Sequence, residues 1–174
     1  MKKNIRVSHA QINTTVGDIE GNFKKIVEYI EKAEEKRVDI ISFPELTITG
    51  YPPEDLLLKP KFIDENLKML SKVEKKVGEI IAVIGFVDRK NGKLFNSAAI
   101  IYNGKIYGIY HKFLLPNYSV FDERRYFTPG KNPLTFSFDN ICFGVNICED
   151  IWHENGPSKK QAEEGASFII NITG

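Results

Sequence analysis

The sequence has few cysteines, almost no net charge and no long apolar run. Its only two cysteines, Cys142 and Cys148, lie in one predicted strand, where a separation of six residues holds them beyond disulfide distance. We therefore expect free thiols and a reducing compartment, which indicates a cytoplasmic protein. No segment has the apolar length of a signal peptide or of a membrane span, so we expect neither.

Other chemical signatures are also missing. Lys and Arg number 24 against 23 Asp and Glu, and no basic stripe is present, so neither nucleic acid nor an anionic membrane is an expected partner. No Cys and His pairs have the spacing of zinc ligands, and no Gly-rich phosphate loop occurs. We therefore expect a site without metal in a domain that needs no cofactor of its own.

Hydrophobic spacing predicts helices that flank a sheet system rich in antiparallel strands. Either Asp18 or Asn22 is placed to cap the first helix. Asn91-Gly92 and Asn103-Gly104 predict tight hairpin turns. The predicted helices cover residues 23–33, 63–77 and 158–164, and the predicted strands cover 5–12, 38–43, 80–87, 94–102, 105–110, 134–138, 141–148 and 167–172. The pattern favours an α/β class with mixed sheets.

No linker, repeat or low-complexity tract divides the chain, so residues 1–174 are predicted to form a single domain. The last predicted strand, residues 167–172, has nothing after it to cover it. We therefore expect the domain to be incomplete at its C-terminal end.

Three polar residues, Glu45, Lys112 and Cys148, each lie at the end of an apolar predicted strand, where a loop begins. Each alone has an ordinary explanation, since a strand cysteine is more often a small buried hydrophobe and a lysine is usually a surface charge. Strand ends, however, are where α/β proteins hold functional side chains in a crevice. A carboxylate can take a thiol proton, and an ammonium can stabilise the oxyanion that forms when the sulfur attacks a carbonyl carbon. Together these residues make a complete set for acyl transfer.

Histidine offers an alternative partner for the thiol. A papain-like pair could use His9, His111 or His153 with Cys148. On a strand, however, His111 faces away from the residue that follows it, and His153 lies only five residues after Cys148. The combination of carboxylate and ammonium is therefore favoured.

Three segments resemble the signature motifs of the nitrilase superfamily of carbon–nitrogen hydrolases, in the order and spacing of that family. They are Phe43-Pro44-Glu45-Leu46, His111-Lys112-Phe113-Leu114-Leu115-Pro116 and Asn146-Ile147-Cys148-Glu149-Asp150. Within the superfamily, residues 11–18, 49–58 and 116–123 resemble the N-terminal glutaminase domain of the glutamine-dependent NAD synthetases. The similarity extends over the whole chain.

This resemblance implies a four-layer αββα sandwich that pairs with a second copy of itself, and hence a homo-oligomer. It implies Glu45 as the general base and later acid, Lys112 as the oxyanion partner and Cys148 as the acylated nucleophile. Glu123 matches a further active-site glutamate that positions Lys112. A surface pairing of Glu123 with Arg124 or Arg125 is the alternative interpretation.

Two aromatic residues, Tyr118 and Trp152, match positions that line the glutamine pocket in the NAD synthetase branch. Either could instead be an ordinary packing aromatic.

The reaction implied by the resemblance is hydrolysis of L-glutamine to L-glutamate and ammonia. In that branch a C-terminal synthetase domain uses the ammonia for ATP-dependent NAD synthesis from nicotinic acid adenine dinucleotide. No segment of this sequence resembles that domain, so ATP and magnesium are expected to belong to it. The family continues beyond residue 172 with residues that bind the substrate, so we expect poor activity from these residues alone.

Two other functions stay open at this point. One is a stand-alone amidase acting on another small amide. The other is a non-catalytic dimerisation module.

Overall fold

The computed structural model describes residues 4–139 and 141–174. Short 3-10 helices cover Glu54–Leu58, Glu123–Arg125 and Cys148–Ile151. Three α-helices lie in the described residues: α1 (Ile19–Glu35), α2 (Pro60–Glu74) and α3 (Pro157–Glu163). The strands there are β1 (Val7–His9), β2 (Ile40–Ser42), β3 (Ile81–Lys90), β4 (Lys93–Tyr102), β5 (Lys105–His111), β6 (Thr135–Phe138), β7 (Ile141–Ile147) and β8 (Phe168–Ile172).

The strands form two sheets, with the order β1-β2-β3-β4-β5 in one and β6-β7-β8 in the other. Strands β1, β2 and β3 are parallel, with α1 and α2 as the crossovers, and β7 is parallel to β8. The pairs β3-β4, β4-β5 and β6-β7 are antiparallel. Parallel and antiparallel pairs are therefore equally frequent in the described sheets, so the antiparallel character is weaker than predicted.

The two faces of the first sheet serve two different cores. Because successive strand residues point to opposite faces, neighbouring residues divide between them. One face packs on α1 and α2 through Ile41, Ala82, Ile84, Ala99 and Ile101. The other packs on the second sheet, where Ile40, Ile81, Val83, Ala98 and Ile100 meet Phe143, Val145, Ile147, Ile170 and Ile172.

The outer face of the second sheet is covered by α3. Gln161 of that helix is fully buried and donates a hydrogen bond of 3.0 Å to the carbonyl of Val145, while Asn146 donates to Ser158 at 2.6 Å. The layers therefore run helix, sheet, sheet, helix. This order confirms the predicted α/β class and the predicted αββα sandwich.

The first helix begins directly after Asp18, which is one of the two predicted cap residues. Asp18 accepts a hydrogen bond from the backbone N–H of Gly21 at 2.9 Å, as an N-cap residue does. Asn22 lies inside the helix instead, fully buried, and its amide donates to the carbonyls of Thr15 and Ile48. The strand predicted over residues 5–12 is shorter, at Val7–His9.

Both predicted Asn-Gly hairpins are present. Asn91 and Asn103 have φ of 52° and 47°, and the glycines that follow them have φ of 74° and 68°. Two consecutive left-handed residues match the twist of the flanking strands, which explains these tight turns. The sequence also predicts a hairpin about Asp139-Asn140, but Asn140 lies outside the described residues. In the part of the chain that the structure describes, no helix is long and apolar enough to cross a bilayer.

Candidate active site

The three predicted residues follow three strands of the two facing sheets. Glu45 lies in the turn after β2, Lys112 lies directly after β5, and Cys148 lies directly after β7. Glu45 and Lys112 are each 1% exposed. Residues distant in sequence thus meet at one end of the sandwich because their strands end there.

Glu45 and Lys112 form a buried ion pair. The ammonium of Lys112 lies 2.6 Å from Oε1 of Glu45, and both side chains are shielded completely from solvent. Burial alone would lower the pKa of Lys112, but the charges of Glu45 and Glu123 outweigh it and raise that pKa above its usual value. The lysine is therefore held as an ammonium.

Glu123 is the second carboxylate on this lysine. Its Oε1 lies 2.7 Å from the ammonium of Lys112, and the residue is only 6% exposed. Burial, followed by the charge of Glu45, raises the pKa of Glu123 to about 7, although Lys112 opposes the shift. The surface pairing with Arg124 or Arg125 is wrong: Arg124 donates to the carbonyl of Leu115, and the ion pairs of Arg125 are with Asp55 and Asp122.

Cys148 stands at a sharp junction between β7 and a 3-10 helix. Its φ of 46° lies in the left-handed region, which is uncommon for residues other than glycine and is concentrated at functional sites. Burial and the charge of Glu45 raise the pKa of this thiol to about 11, while Lys112 lowers it. The thiol therefore lies within electrostatic reach of both members of the ion pair and is protonated at rest.

One buried asparagine that sequence reasoning missed connects the two glutamates. Asn96 of β4 donates from Nδ2 to Oε1 of Glu45 at 2.7 Å and to Oε2 of Glu123 at 3.4 Å. Its backbone carbonyl accepts from the N–H of Lys112 at 2.9 Å. Asn96 lies in none of the three signature motifs, and a polar residue within a strand does not by itself predict a functional site.

A second missed residue, Asp150, ties the lysine loop to the cysteine turn. Its carboxylate accepts from the backbone N–H groups of Phe113, Leu114 and Ile147 at 3.1, 2.8 and 3.2 Å. The hydroxyl of Tyr110 donates to it at 2.8 Å. Burial raises the pKa of Asp150, and the hydrogen bonds from Leu114, Tyr110 and Ile147 act in the opposite direction. Its place two residues after Cys148 was the available signal.

Close backbone approach explains one glycine in the site. A Cβ on Gly85 of β3 would lie 2.3 Å from the carbonyl oxygen of Pro44 and 2.6 Å from the nitrogen of Leu46. The turn that carries Glu45 therefore rests directly on β3. Ile48, later in the same turn, donates to the carbonyl of Gly85 at 3.2 Å.

The end of β8 closes another side of Glu45. The N–H of Gly174 donates to Oε2 of Glu45 at 3.2 Å, and the N–H of Glu45 donates to the carbonyl of Thr173 at the same distance. Tyr51 lies nearby, with its hydroxyl 3.5 Å from Oε1 of Glu123. Burial and the charges of Glu45 and Glu123 raise the pKa of Tyr51, so its hydroxyl is a hydrogen-bond donor at neutral pH.

The two predicted pocket aromatics occupy different surroundings. Tyr118 is 56% exposed, and its hydroxyl donates to Glu149, the residue after Cys148, at 2.8 Å. It lines a cavity of about 570 Å³ together with Glu149 and His153. Trp152 is 77% exposed at the end of the 3-10 helix. The structure thus brings Tyr118 toward the site and leaves Trp152 on the surface.

The three histidines pair with other groups. His9 contacts the hydroxyl of Ser42 at 2.6 Å, His111 contacts Asp88 at 2.7 Å, and His153 contacts Glu149 at 3.4 Å. These partners argue against a Cys–His pair. Within residues 4–139 and 141–174, no group of three or more His, Cys, Asp or Glu side chains is placed to hold a metal ion.

The groups at the strand ends define a class of chemistry. A thiol close to a buried carboxylate and a buried ammonium contains a nucleophile, a proton acceptor and a charge that can stabilise an oxyanion. In an αββα sandwich, this arrangement is that of a thiol-dependent hydrolase of acyl compounds. The family profile described as Carbon-nitrogen hydrolase matches residues 6–174. The chain belongs to the carbon–nitrogen hydrolase family.

Two relatives that are 45% and 42% identical to the chain are both glutamine-dependent NAD(+) synthetases. The chain is 45% identical over 174 residues to the glutamine-dependent NAD(+) synthetase of Thermotoga maritima, which covers 98% of this chain and 30% of that protein. It is 42% identical over 170 residues to the enzyme of the same name from Aquifex aeolicus, covering 97% and 30%. The chain therefore spans about 30% of the length of these relatives.

Solved structures agree in fold. The glutamine-dependent NAD+ synthetase of Acinetobacter baumannii matches with a TM-score of 0.90 at 38% identity, over 94% of this chain and 31% of that one. An amidase of the nitrilase superfamily from Nesterenkonia AN1 matches with a TM-score of 0.86 at 20% identity, over 97% of this chain and 64% of that one. The second likeness is one of fold alone.

Proposed function

We propose that the chain hydrolyses L-glutamine to L-glutamate and ammonia through a thioester on Cys148. The observation that carries this proposal is the buried contact of 2.6 Å between Lys112 and Glu45, within electrostatic reach of the thiol. The names of the relatives at 45% and 42% identity support glutamine as the amide.

In the first half of the reaction, the sulfur of Cys148 attacks the side-chain amide carbon of glutamine. Because the pKa of the thiol is about 11, the proton has to leave during the attack, and Glu45 accepts it. The carbonyl oxygen becomes an oxyanion, which Lys112 and a backbone N–H stabilise. Glu45 then gives the proton to the amide nitrogen, the C–N bond breaks, and ammonia leaves behind a thioester.

In the second half, water replaces ammonia. Glu45, again a carboxylate, takes a proton from the water as it attacks the thioester carbon, and the same oxyanion contacts operate. The C–S bond breaks, the thiolate regains a proton, and glutamate is released. Glu123 holds Lys112 in place through both halves.

Substrate recognition is assigned to the rim of the site. Tyr118 and Trp152 line the glutamine pocket in this proposal. The contact from Tyr118 to Glu149 supports a place beside the nucleophile for the tyrosine. Trp152, at 77% exposure, has a side chain free to approach a substrate from solvent.

The use of the ammonia is proposed from the longer relatives. In this proposal the ammonia passes to a synthetase domain that binds ATP and Mg²⁺ and amidates nicotinic acid adenine dinucleotide in the cytoplasm. The chain acts as a homo-oligomer and uses no cofactor itself. The name of the relatives supports the link to NAD synthesis, and the 30% of their length that the chain spans is compatible with a further domain in those proteins.

Release of ammonia and glutamate from L-glutamine tests the reaction directly. Labelling with the electrophilic glutamine analogue 6-diazo-5-oxo-norleucine, followed by mass spectrometry of the peptides, tests the nucleophile. We expect one adduct on Cys148 and none in Cys148→Ser. Cys142→Ser is the matched control, because Cys142 is the other free thiol and is also partly buried. A labelled Cys142 with an unmodified Cys148 contradicts the proposal.

The same assays separate the other two functions. A panel of small amides and carbamoyl compounds distinguishes a glutaminase from an amidase with another substrate, which releases ammonia faster from a compound other than glutamine. A non-catalytic dimerisation module releases none and leaves Cys148 unmodified.

A further inference from the structure

Asn96 contacts three charged residues of the site, although it belongs to none of the motifs. Its Nδ2 donates to Glu45 at 2.7 Å and to Glu123 at 3.4 Å, and its carbonyl accepts from the N–H of Lys112 at 2.9 Å. It lies in β4, opposite Val87 of β3, and is 1% exposed. A single residue therefore contacts the proposed base, the lysine and the second glutamate.

The chemistry of a primary amide suits this place. The NH₂ group carries two donors and no charge, so each carboxylate can accept one hydrogen. With both glutamates ionised, Lys112 neutralises only one of the two negative charges, and their repulsion favours a proton on one carboxylate. Hydrogen bonds to a carboxylate favour its ionised form. The amide thus offsets the repulsion without adding a third charge.

The side-chain oxygen of Asn96 also indicates that its two donor hydrogens are what the site uses. Oδ1 of Asn96 is buried and has no hydrogen-bond partner among the described residues. A buried acceptor without a partner lowers stability, whereas an apolar side chain of similar shape, such as leucine, would avoid that loss. Packing therefore does not explain an amide in this position, and its two donors do.

We propose that Asn96 is a positioning residue that joins Glu45 to Glu123 and keeps the base as a carboxylate turned toward Lys112. The inference rests on the proposed function, because only an ionised Glu45 can take the thiol proton. Asn96 contacts no reacting atom in this scheme and acts through the glutamates.

The electrostatics of the site agree with this assignment. Burial and Glu45 raise the pKa of Glu123 to about 7, and the hydrogen bond from Asn96 lowers it. Among the described residues, the other titratable groups that interact with these carboxylates or with Lys112 are Tyr51, Tyr118, Cys148 and Asp150, and Glu149 acts on the thiol. Since ionised Glu123 raises the pKa of Cys148, the reactivity of the thiol reports how Glu123 titrates.

The test is the pH profile of alkylation of Cys148 by iodoacetamide, followed by intact mass in a Cys142→Ser background. The profile has an inflection where Glu123 titrates. In Asn96→Leu we expect it to move upward by about one pH unit, the size that corresponds to losing one hydrogen bond to a charged group. An inflection at the same pH, or a rate changed equally at every pH, overturns the proposal.

Asn146→Leu is the matched control. Asn146 is also a fully buried strand asparagine with an unpartnered Oδ1, but its amide donates to the neutral hydroxyl of Ser158. We expect this variant to be less stable without moving the inflection. If Asn96→Leu does not fold, Asn96→Ala removes the same donors without filling the space and is measured in its place.

Alkylation requires no glutamine, so its profile can be read even if the chain fails to hydrolyse glutamine. Where glutamine is hydrolysed, a second readout applies. The acidic limb of kcat/KM moves upward by the same amount in Asn96→Leu, while KM stays the same. A raised KM with an unmoved limb assigns Asn96 to substrate binding and overturns the inference.

Discussion

The hydroxyl of Tyr110 donates a hydrogen bond of 2.8 Å to Asp150, and both residues are completely buried. Tyr110 belongs to β5, two residues before Lys112, and Asp150 lies two residues after Cys148. The bond therefore crosses from the first sheet to the turn that follows the second. It fixes the distance between the lysine and the thiol through groups that take no part in the proposed chemistry.

Removing this hydroxyl tests the connection. We expect Tyr110→Phe to lower the free energy of unfolding by about 1–3 kcal/mol, because a buried hydrogen bond to a charged acceptor is lost. Urea denaturation followed by circular dichroism measures the change. Tyr107→Phe is the control in the same strand, since Tyr107 is 63% exposed. Equal stability of Tyr110→Phe and the parent would show that the bond contributes nothing.

The architecture could be predicted because its determinants are local. The alternation that places Ile40 and Ile41 on opposite faces, and the two Asn-Gly turns, operate within a few residues. The parallel pairing of β1, β2 and β3 depends on contacts between distant segments, so it was underestimated. Asn22 shows the same limit: its side chain is occupied by the carbonyls of Thr15 and Ile48, which no local rule reveals.

The site was predictable only where a motif carried it. Glu45, Lys112 and Cys148 could be selected because each ends a strand, but strand ends do not give distances. Asn96 could not be predicted because its role depends on hydrogen bonds to two carboxylates that are 51 and 27 residues away in the chain. The exposure of Trp152, which follows the 3-10 helix, was equally unpredictable, since it depends on tertiary packing.

Gly85 supplies a test of how tightly the turn of Glu45 rests on β3. We expect Gly85→Ala to destabilise the chain by about 1–3 kcal/mol, because the new Cβ overlaps the backbone of residues 44 and 46. Denaturant unfolding measures the loss, and labelling of Cys148 by 6-diazo-5-oxo-norleucine should slow as Glu45 is displaced.

Gly92→Ala separates this clash from the general effect of replacing a glycine. Gly92 has φ of 74° in a hairpin turn with open space around it, so alanine there meets backbone strain alone. We expect a loss of stability with no change in labelling. A labelling rate in Gly85→Ala equal to that of the parent would contradict the account.

Glu123 predicts a pH dependence of stability. Its pKa of about 7 in the folded chain lies above the usual glutamate value of about 4.5, so the folded state keeps a proton that the unfolded state loses. Stability from this group is therefore complete below about pH 4.5 and is lost as the pH rises to about 7. We expect the free energy of unfolding to fall over this window, by on the order of 2 kcal/mol.

Glu123→Gln removes the titrating group, so its unfolding free energy should change less between these pH values. Chemical denaturation at pH 5 and pH 7.5 measures the difference. Asp122→Asn is the neighbouring control, because that side chain is 55% exposed and should leave the pH dependence as it is. The same pH dependence in Glu123→Gln and the parent would assign the proton to another group.

Replacing Glu45 should affect two reactions of the same thiol in opposite directions. The carboxylate of Glu45 is the charge that raises the pKa of Cys148 most, after burial, so Glu45→Gln should lower that pKa. The thiolate fraction at pH 8 then rises about tenfold for each unit of the decrease, and alkylation by iodoacetamide becomes faster. Labelling by a glutamine analogue or ammonia release should slow by about 100-fold or more, because the base is lost.

Parallel measurement of both rates at pH 8 checks this divergence, with Cys142→Ser as the common background. Glu154→Gln, at an exposed position six residues after Cys148, controls for the loss of a negative charge near the surface. A slower alkylation in Glu45→Gln would mean that Glu45 activates the thiol at rest instead of during attack. The proton would then reside on the carboxylate before substrate arrives, and the pKa of about 11 for Cys148 would be wrong.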